Sequence, residues 1–176
     1  NIFGNIVVAG NSAAANIEGF VYVAMNSFYQ ATISFVSQNF GAGKYERINK
    51  IVIRGEACVI AVGVVLGNLA VIFGEQLLSI YSNNPEVIAA GMVRLGIISR
   101  TYALCGIMDV MVGALRGIGY SIMPMIVSLV GACGLRLLWI ATVFRIPEYH
   151  RIETVYLSYP ITWIITFTVH IIRSEE

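Results

Sequence analysis

An all-α membrane protein, an up-and-down bundle of about five transmembrane helices, is the fold class predicted by three features of this sequence. Of its 176 residues, 57% are hydrophobic and only 12% charged, against about 25% charged in ordinary soluble domains. The apolar residues run together in five stretches long enough to cross hydrocarbon, about 20 residues for ~30 Å. Short turns of Gly, Asn and Pro separate these stretches, so successive spans must reverse direction. A soluble globule of this size has too little interior to hide so many apolar side chains. The 11 basic and 10 acidic residues nearly cancel. That balance excludes the electrostatic footprint of a nucleic-acid binder, and the hydrophobicity excludes disorder. The partner it implies is a lipid bilayer.

The first stretch runs over about residues 6–40, long enough to tilt or protrude, with Glu18 as its only charge and a load of Asn, Gln, Ser, Thr and Tyr. The second, about 51–73, contains the uncharged run from Ala57 to Gly74. The third, about 87–115, carries Arg94, Arg100 and Asp109 and is on that ground expected to rate weakest in hydropathy. The fourth covers about 122–144 and the fifth about 154–172. Gly41-Ala42-Gly43, Asn83-Asn84-Pro85 and Gly117-Ile118-Gly119 are the punctuation between them. Pro124 and Pro160 are placed in the first or second turn of their helices, where a missing N–H costs little.

Cationic residues set the expected sidedness. Lys44, Arg47, Lys50 and Arg54 follow the first stretch, Arg116 the third and Arg173 the fifth, while the opposite side carries Arg145 and Arg151. By the positive-inside rule the former segments are cytoplasmic. The expectation is a multi-pass plasma-membrane protein whose C-terminus is cytoplasmic and whose start lies outside. The chain opens on Asn1 without the basic flank of a signal peptide, and further helices are expected upstream.

Ionisable groups within a span need a partner, a wet cavity or an escape to the interface. Asp109 lies roughly 10 Å inside the cytoplasmic end of the third helix at 1.5 Å per residue, too deep for a short carboxylate to snorkel out. Helical spacing stacks it with Tyr102, Cys105, Gly113 and Arg116. It is either a proton or cation site or a carboxylate pinned by an Arg or Ser of a neighbouring helix. Glu18, with Tyr22, Met25, Asn26, Tyr29 and Gln30 winding along adjacent faces, suits a water-lined cavity that takes a proton or a cationic substrate. The alternative is interhelical hydrogen bonding, worth ~0.6–2 kcal/mol per bond. Arg100 and Arg136 are expected to pair with Glu18 or Glu75, or to snorkel outward.

Gly63 and Gly67 have GxxxG spacing, which serves close packing within a bundle or dimerisation. Cys58, Cys105 and Cys133 sit in apolar runs and read as small core residues. His150 falls in a loop and His170 near the inner interface, neither with a second ligand at metal spacing. With no nucleophile elbow, no HExxH and no complete dinucleotide loop, an enzyme is not expected, nor is a bound cofactor or metal.

Three groups of residues carry a resemblance to a family. Gln38-Asn39-Phe40-Gly41-Ala42-Gly43 closes the first helix ahead of the basic turn. Ala114-Leu115-Arg116-Gly117-Ile118-Gly119-Tyr120-Ser121 is followed by Pro124, and Leu135-Arg136 by Trp139. In this order and spacing the sequence resembles the multidrug and toxic compound extrusion (MATE) family over nearly its whole length. The resemblance implies twelve helices in two six-helix lobes around a central cavity. It implies export of small cationic or amphipathic compounds in exchange for Na⁺ or H⁺. This chain then corresponds to helices eight to twelve, part of the C-terminal lobe, with Asn1 to Gly4 ending the preceding loop. Its partner is the missing N-terminal lobe, which holds the first-helix aspartate that some branches use for coupling. The helix-ten acidic cation ligand of one bacterial branch aligns with Cys105, so its role does not transfer to Asp109.

The expected function is therefore part of a secondary-active multidrug exporter working by alternating access. Glu18, Asn26, Tyr29 and Gln30 are its expected cavity lining. The alternatives are a lipid-linked sugar flippase of the same superfamily, for which Arg100 and Arg136 are the available cations, and a non-transporting channel or membrane scaffold.

Overall fold

A computed structural model describes residues 4–175, with side chains as far as residue 172. Asn1 and the Arg173 side chain, which enter the sidedness expectation, lie outside the described portion. Among the described residues all regular structure is helical. Five helices are long and apolar enough to cross a membrane: α1 (Gly4–Gly41), α2 (Glu46–Ile72), α4 (Pro85–Gly117), α5 (Ile122–Arg145) and α6 (Ile152–Glu175). A sixth, α3 (Gly74–Ser79), is too short to span and was not expected. α1 has 38 residues, about 57 Å at 1.5 Å per residue, nearly twice the hydrocarbon thickness.

The turns follow the local chemistry. Gly43 (φ +69°) and Gly119 (φ +103°) take left-handed backbone conformations where the chain leaves α1 and α4, a region glycine enters without a Cβ clash. Asn84 caps α4, its side-chain oxygen accepting from the Glu86 N–H at 2.9 Å, and Pro85 occupies the first helical position. These devices satisfy or remove donors that a helix start leaves open.

α1, α2 and α4 form the centre, and small residues let their backbones approach. A Cβ on Gly10 would lie 2.5 Å from the Val87 carbonyl oxygen, one on Gly113 3.0 Å from that of Tyr29, and one on Gly117 2.7 Å from Val36. α1 and α4 are thus in contact along their length. Gly63 and Gly67 resolve the same way: a Cβ on Gly63 would press on Ala103, and one on Gly67 would collide with the Ser99 carbonyl oxygen. Their spacing serves packing inside this bundle. The turn that receives Gly67, Ser99–Thr101, is wound as a 3₁₀ segment within α4.

Three apolar clusters fill the interior. Ala13, Ala14, Ile17 and Val21 of α1 meet Ala70, Leu78 and Leu95, so α3 earns its place by tucking Leu78 beneath α1 and α4. Met25, Val59 and Val110 join α1, α2 and α4 further along. Ile98, Cys105 and Met108 of α4 pack on Tyr156 and Trp163 of α6. α5 is peripheral: 6% of its apolar window is buried within the chain, against 50% for α4. It reaches α6 through a π-helical stretch, Leu129–Gly134, where Gly131 lies against Thr166.

Several expectations need correction. The least apolar of the five spans is α1, not α4, because Asn, Gln, Ser and Thr along α1 lower it more than the three charges lower α4. Cys105 is buried, but Cys58 and Cys133 are exposed, on helix faces that in a membrane meet lipid or another helix. Pro160 lies inside α6 beyond its second turn, because the helix starts at Ile152. α2 starts at Glu46, taking in the basic cluster as its first turns. Most Ser and Thr hydroxyls bond back within their own helix, as Thr32 does to the Phe28 carbonyl at 2.8 Å and Thr166 to that of Thr162 at 2.7 Å. Side-chain oxygen stays satisfied there without a neighbouring helix.

In the full-length protein, Gly67→Ala is expected to lower thermal stability by ~1–3 kcal/mol, because the added methyl meets a backbone carbonyl that cannot rotate aside. Thermal unfolding in detergent measures it. An unchanged midpoint would mean that α2 does not pack on the Ser99–Thr101 turn.

Candidate functional site: charged groups between α1, α2 and α4

The deepest charges form an ion pair that sequence reasoning did not assign. The Glu18 carboxylate of α1 takes both forks of Arg94 on α4, with Nε to Oε1 at 3.0 Å and an Nη to Oε2 at 2.7 Å. The second Nη donates to the Asn11 side-chain oxygen at 2.6 Å. Both residues are buried, at 3% and 8% exposure, and a planar fork on two carboxylate oxygens is the geometry that makes such burial tolerable. α6 covers the guanidinium with Tyr156 and Tyr159, whose ring centres are 5.8 and 5.5 Å away.

Arg100 and Arg136 therefore do not pair with Glu18. Arg100 is exposed. Arg136 of α5 lies over the same Tyr159 ring, 3.6 Å from its centre, and reaches Thr162 at 3.4 Å. Arg94 was passed over because it lies nearer the helix end than Arg100. Helical phase held the missing signal: Arg94 shares its face with Val87, Gly91 and Ile98, all buried.

A second polar group sits further along the same α1–α4 seam. Asp109 faces the Tyr22 hydroxyl of α1 and the charge of Arg116 about two turns on. Arg116 in turn donates to the Tyr29 hydroxyl and stands 5.9 Å from that ring's centre. Tyr22, Asp109, Arg116 and Tyr29 thus make one connected set, partly open because Tyr22 is 38% exposed. Asn26 is half-buried and Gln30 exposed. The structure separates the α1 residues expected to work together: Glu18 is sealed with Arg94, while Tyr22 and Tyr29 belong with Asp109.

Of the family-motif residues, Gly41 and Gly119 lie at helix ends, Gly117 packs on Val36 and Pro124 is buried in the first turn of α5. Asn39 bonds to the Phe35 carbonyl and Gln38 to Ser34, both within α1. Trp139 donates to the Thr154 carbonyl at 3.0 Å, holding α5 to α6. His170 is buried against Ser128 at 3.1 Å, and His150 stacks on Phe144. Among the described residues no group of three His, Cys, Asp or Glu side chains could hold a metal ion. Glu56 of α2, an acid the sequence reading passed over, has both carboxylate oxygens buried without a hydrogen-bond partner among the described residues.

Comparison with known proteins supplies context for this arrangement. The family model MatE matches residues 1–141. The chain is 26% identical over 136 residues to the probable multidrug resistance protein NorM of Thermotoga maritima, a match covering 77% of this chain and 29% of that protein. It is 23% identical over 162 residues to the probable multidrug resistance protein YoeA of Bacillus subtilis, covering 91% of this chain and 34% of that protein. The chain thus spans about a third of the length of the curated relatives it matches.

In the full-length protein, Glu18→Gln and Arg94→Met each leave one buried charge without its counter-ion, a loss of ~3–5 kcal/mol. The double variant removes both charges and is expected to recover most of that loss. Thermal unfolding of the four proteins of this cycle measures the coupling, and strictly additive losses would contradict the pairing.

Proposed function

We propose that this chain, which belongs to the MatE family, is the C-terminal portion of a multidrug exporter, corresponding to helices eight to twelve. The observation that carries the reading is the MatE match over residues 1–141, in a chain whose described helices include five fit to cross a membrane. Export of small cationic or amphipathic compounds follows from the resemblance and from the two multidrug resistance relatives. In the intact protein an N-terminal lobe completes the cavity, and exchange for Na⁺ or H⁺ drives alternating access of the two lobes. The C-terminus is cytoplasmic on this reading, and the membrane is the plasma membrane.

On this reading the two charged groups divide the work. Glu18 and Arg94 neutralise each other within the protein and lock α1 to α4, which suits a structural strut. Asp109 and Tyr22 are better placed to act on a cation, because Asp109 is only half-buried and its hydroxyl partner reaches the exposed edge of α1. A carboxylate there attracts a positive group electrostatically and exchanges it against a proton or Na⁺ by competition for one site. The sugar flippase reading draws on Arg100 and Arg136; Arg136 rests on Tyr159, which leaves Arg100 as the exposed member of that pair. One guanidinium is a weak match for a pyrophosphate.

The experiment is efflux of a cationic dye from vesicles containing the full-length protein, under an imposed H⁺ or Na⁺ gradient. Dye movement with one of the two ions is expected, and none with either would reject the exporter reading. Asp109→Asn keeps the shape of the side chain and is expected to reduce that efflux by about tenfold or more at equal expression, a loss of ~1.4 kcal/mol or more in the working step. Full activity in Asp109→Asn would remove Asp109 from the transport path.

A further inference from the structure

Glu56 takes no part in the strut or in the Asp109 group. At 100° per residue it falls in phase with Gly63 and Gly67, on the face of α2 that packs against α1 and α4. Its neighbours along this face of α2, Val52, Val59 and Gly63, are apolar. One turn on, Val59 joins Met25 and Val110 in a fully buried cluster and meets Gly106. One residue back, Gly55 lies over Val110 and the Thr32 hydroxyl, and that hydroxyl is already given to the Phe28 carbonyl.

Among the described residues no ion pair reaches the carboxyl: Glu18, Tyr22 and Tyr29 of α1, Tyr102, Cys105, Asp109 and Arg116 of α4, and Arg54 and Cys58 on its own helix make neither a salt bridge nor a hydrogen bond with it. An unpaired carboxylate in such a place is far costlier than the neutral acid. A Na⁺ ion would need several further oxygen ligands, and no hydroxyl or amide donates to this carboxyl among the described residues. A proton needs none.

A route to water lies one turn away. Between the α1–α2 turn and the end of α4 is an open groove of about 590 Å³, whose walls include Phe40, Tyr45, Val52, Ile53, Met111 and Leu115. Val52 and Ile53 precede Glu56 by one helical turn, about 5.4 Å of rise. The exposed basic residues Lys44, Arg47 and Lys50 adjoin the lining residues Tyr45, Ile48 and Asn49 along the chain.

We propose that Glu56 is a proton-binding site, held as the neutral acid while α1, α2 and α4 are closed around it and emptied through the Val52 groove when α2 parts from α4. On opening, the carboxyl O–H bond breaks, the proton passes to water in the groove, and the carboxylate is left hydrated. On closing, the carboxylate takes a proton from water before it is buried again. Binding of the proton stands on the geometry alone; its use in driving export rests on the exporter reading.

The test is infrared difference spectroscopy of the full-length protein in liposomes, reading the carbonyl stretch of protonated carboxylic acids, with Glu56→Gln and Glu56→Asp beside the wild type. The expected result is one carboxylic-acid band that vanishes in Glu56→Gln and moves in frequency in Glu56→Asp. A wild type without that band, or a band unchanged in both variants, overturns the proposal. Glutamine reproduces the neutral acid in shape and polarity, and the aspartate variant separates loss of the group from a general disturbance. Dye efflux under a pH gradient distinguishes the two levels. A protein that shows the band but moves no dye with either ion refutes the exporter reading and leaves the proton site standing.

Discussion

Hydrocarbon offers no hydrogen bond to a charge, and the Glu18–Arg94 pair is where this chain answers that constraint most fully. The carboxylate and guanidinium meet on two parallel bonds, Asn11 takes a further donor, and two tyrosines of α6 close over the group. Three helices are fixed at one point by it. α1 and α4 cannot slide along each other without separating buried charges, and α6 cannot leave without exposing the guanidinium. In a bilayer, where apolar surface alone does not drive helices together, such a contact sets register as well as cohesion. The glycines of the α1–α4 seam then bring the backbones close on either side of it.

Three acids in the centre of the bundle meet three different environments. Glu18 is matched by a full positive charge, Asp109 by a tyrosine hydroxyl and a more distant arginine, and Glu56 by no hydrogen-bond partner among the described residues. The chemistry open to each follows. A carboxylate locked to a guanidinium cannot easily exchange its partner, so it holds structure. One facing a hydroxyl at a partly exposed edge can exchange a cation. One enclosed without a partner is compatible with burial only while it carries a proton. The ordering runs from most to least compensated charge, and it depends on neighbours in space rather than on the residue type.

The outer helices show the other half of the constraint. α5 keeps little of its surface within the chain and exposes Leu129, Val130, Leu137 and Leu138. Its hold on α6 is local: the Trp139–Thr154 bond, the Ser128–His170 contact and the close approach of Gly131 to Thr166 in the π-helical stretch. An extra residue in that turn shifts the phase of the helix. Gly131 comes to face α6 in that stretch, and Arg136 lies over Tyr159 beyond it. Two guanidinium groups, Arg94 and Arg136, therefore share one tyrosine from different helices.

The sequence by itself determined the five spans, the reversals between them and the family, because these depend on runs of apolar residues, on turn-forming Gly, Asn and Pro, and on local motifs around Gly41 and Gly117. It also exposed Glu18 and Asp109, since a charge amid apolar residues is visible without coordinates. Which arginine meets Glu18 was decided only by tertiary structure: Arg94, Arg100 and Arg136 are equivalent in composition, and the angle at which α4 docks on α1 selects among them. The same holds for Glu56, whose lack of a partner is a property of the three helices around it, and for Gly63 and Gly67, whose spacing names no partner until Ala103 and Ser99 are seen beneath them. Hydropathy is a sum along the chain and survives in one dimension. Pairing depends on distance and direction between segments, and these exist only once the helices have packed.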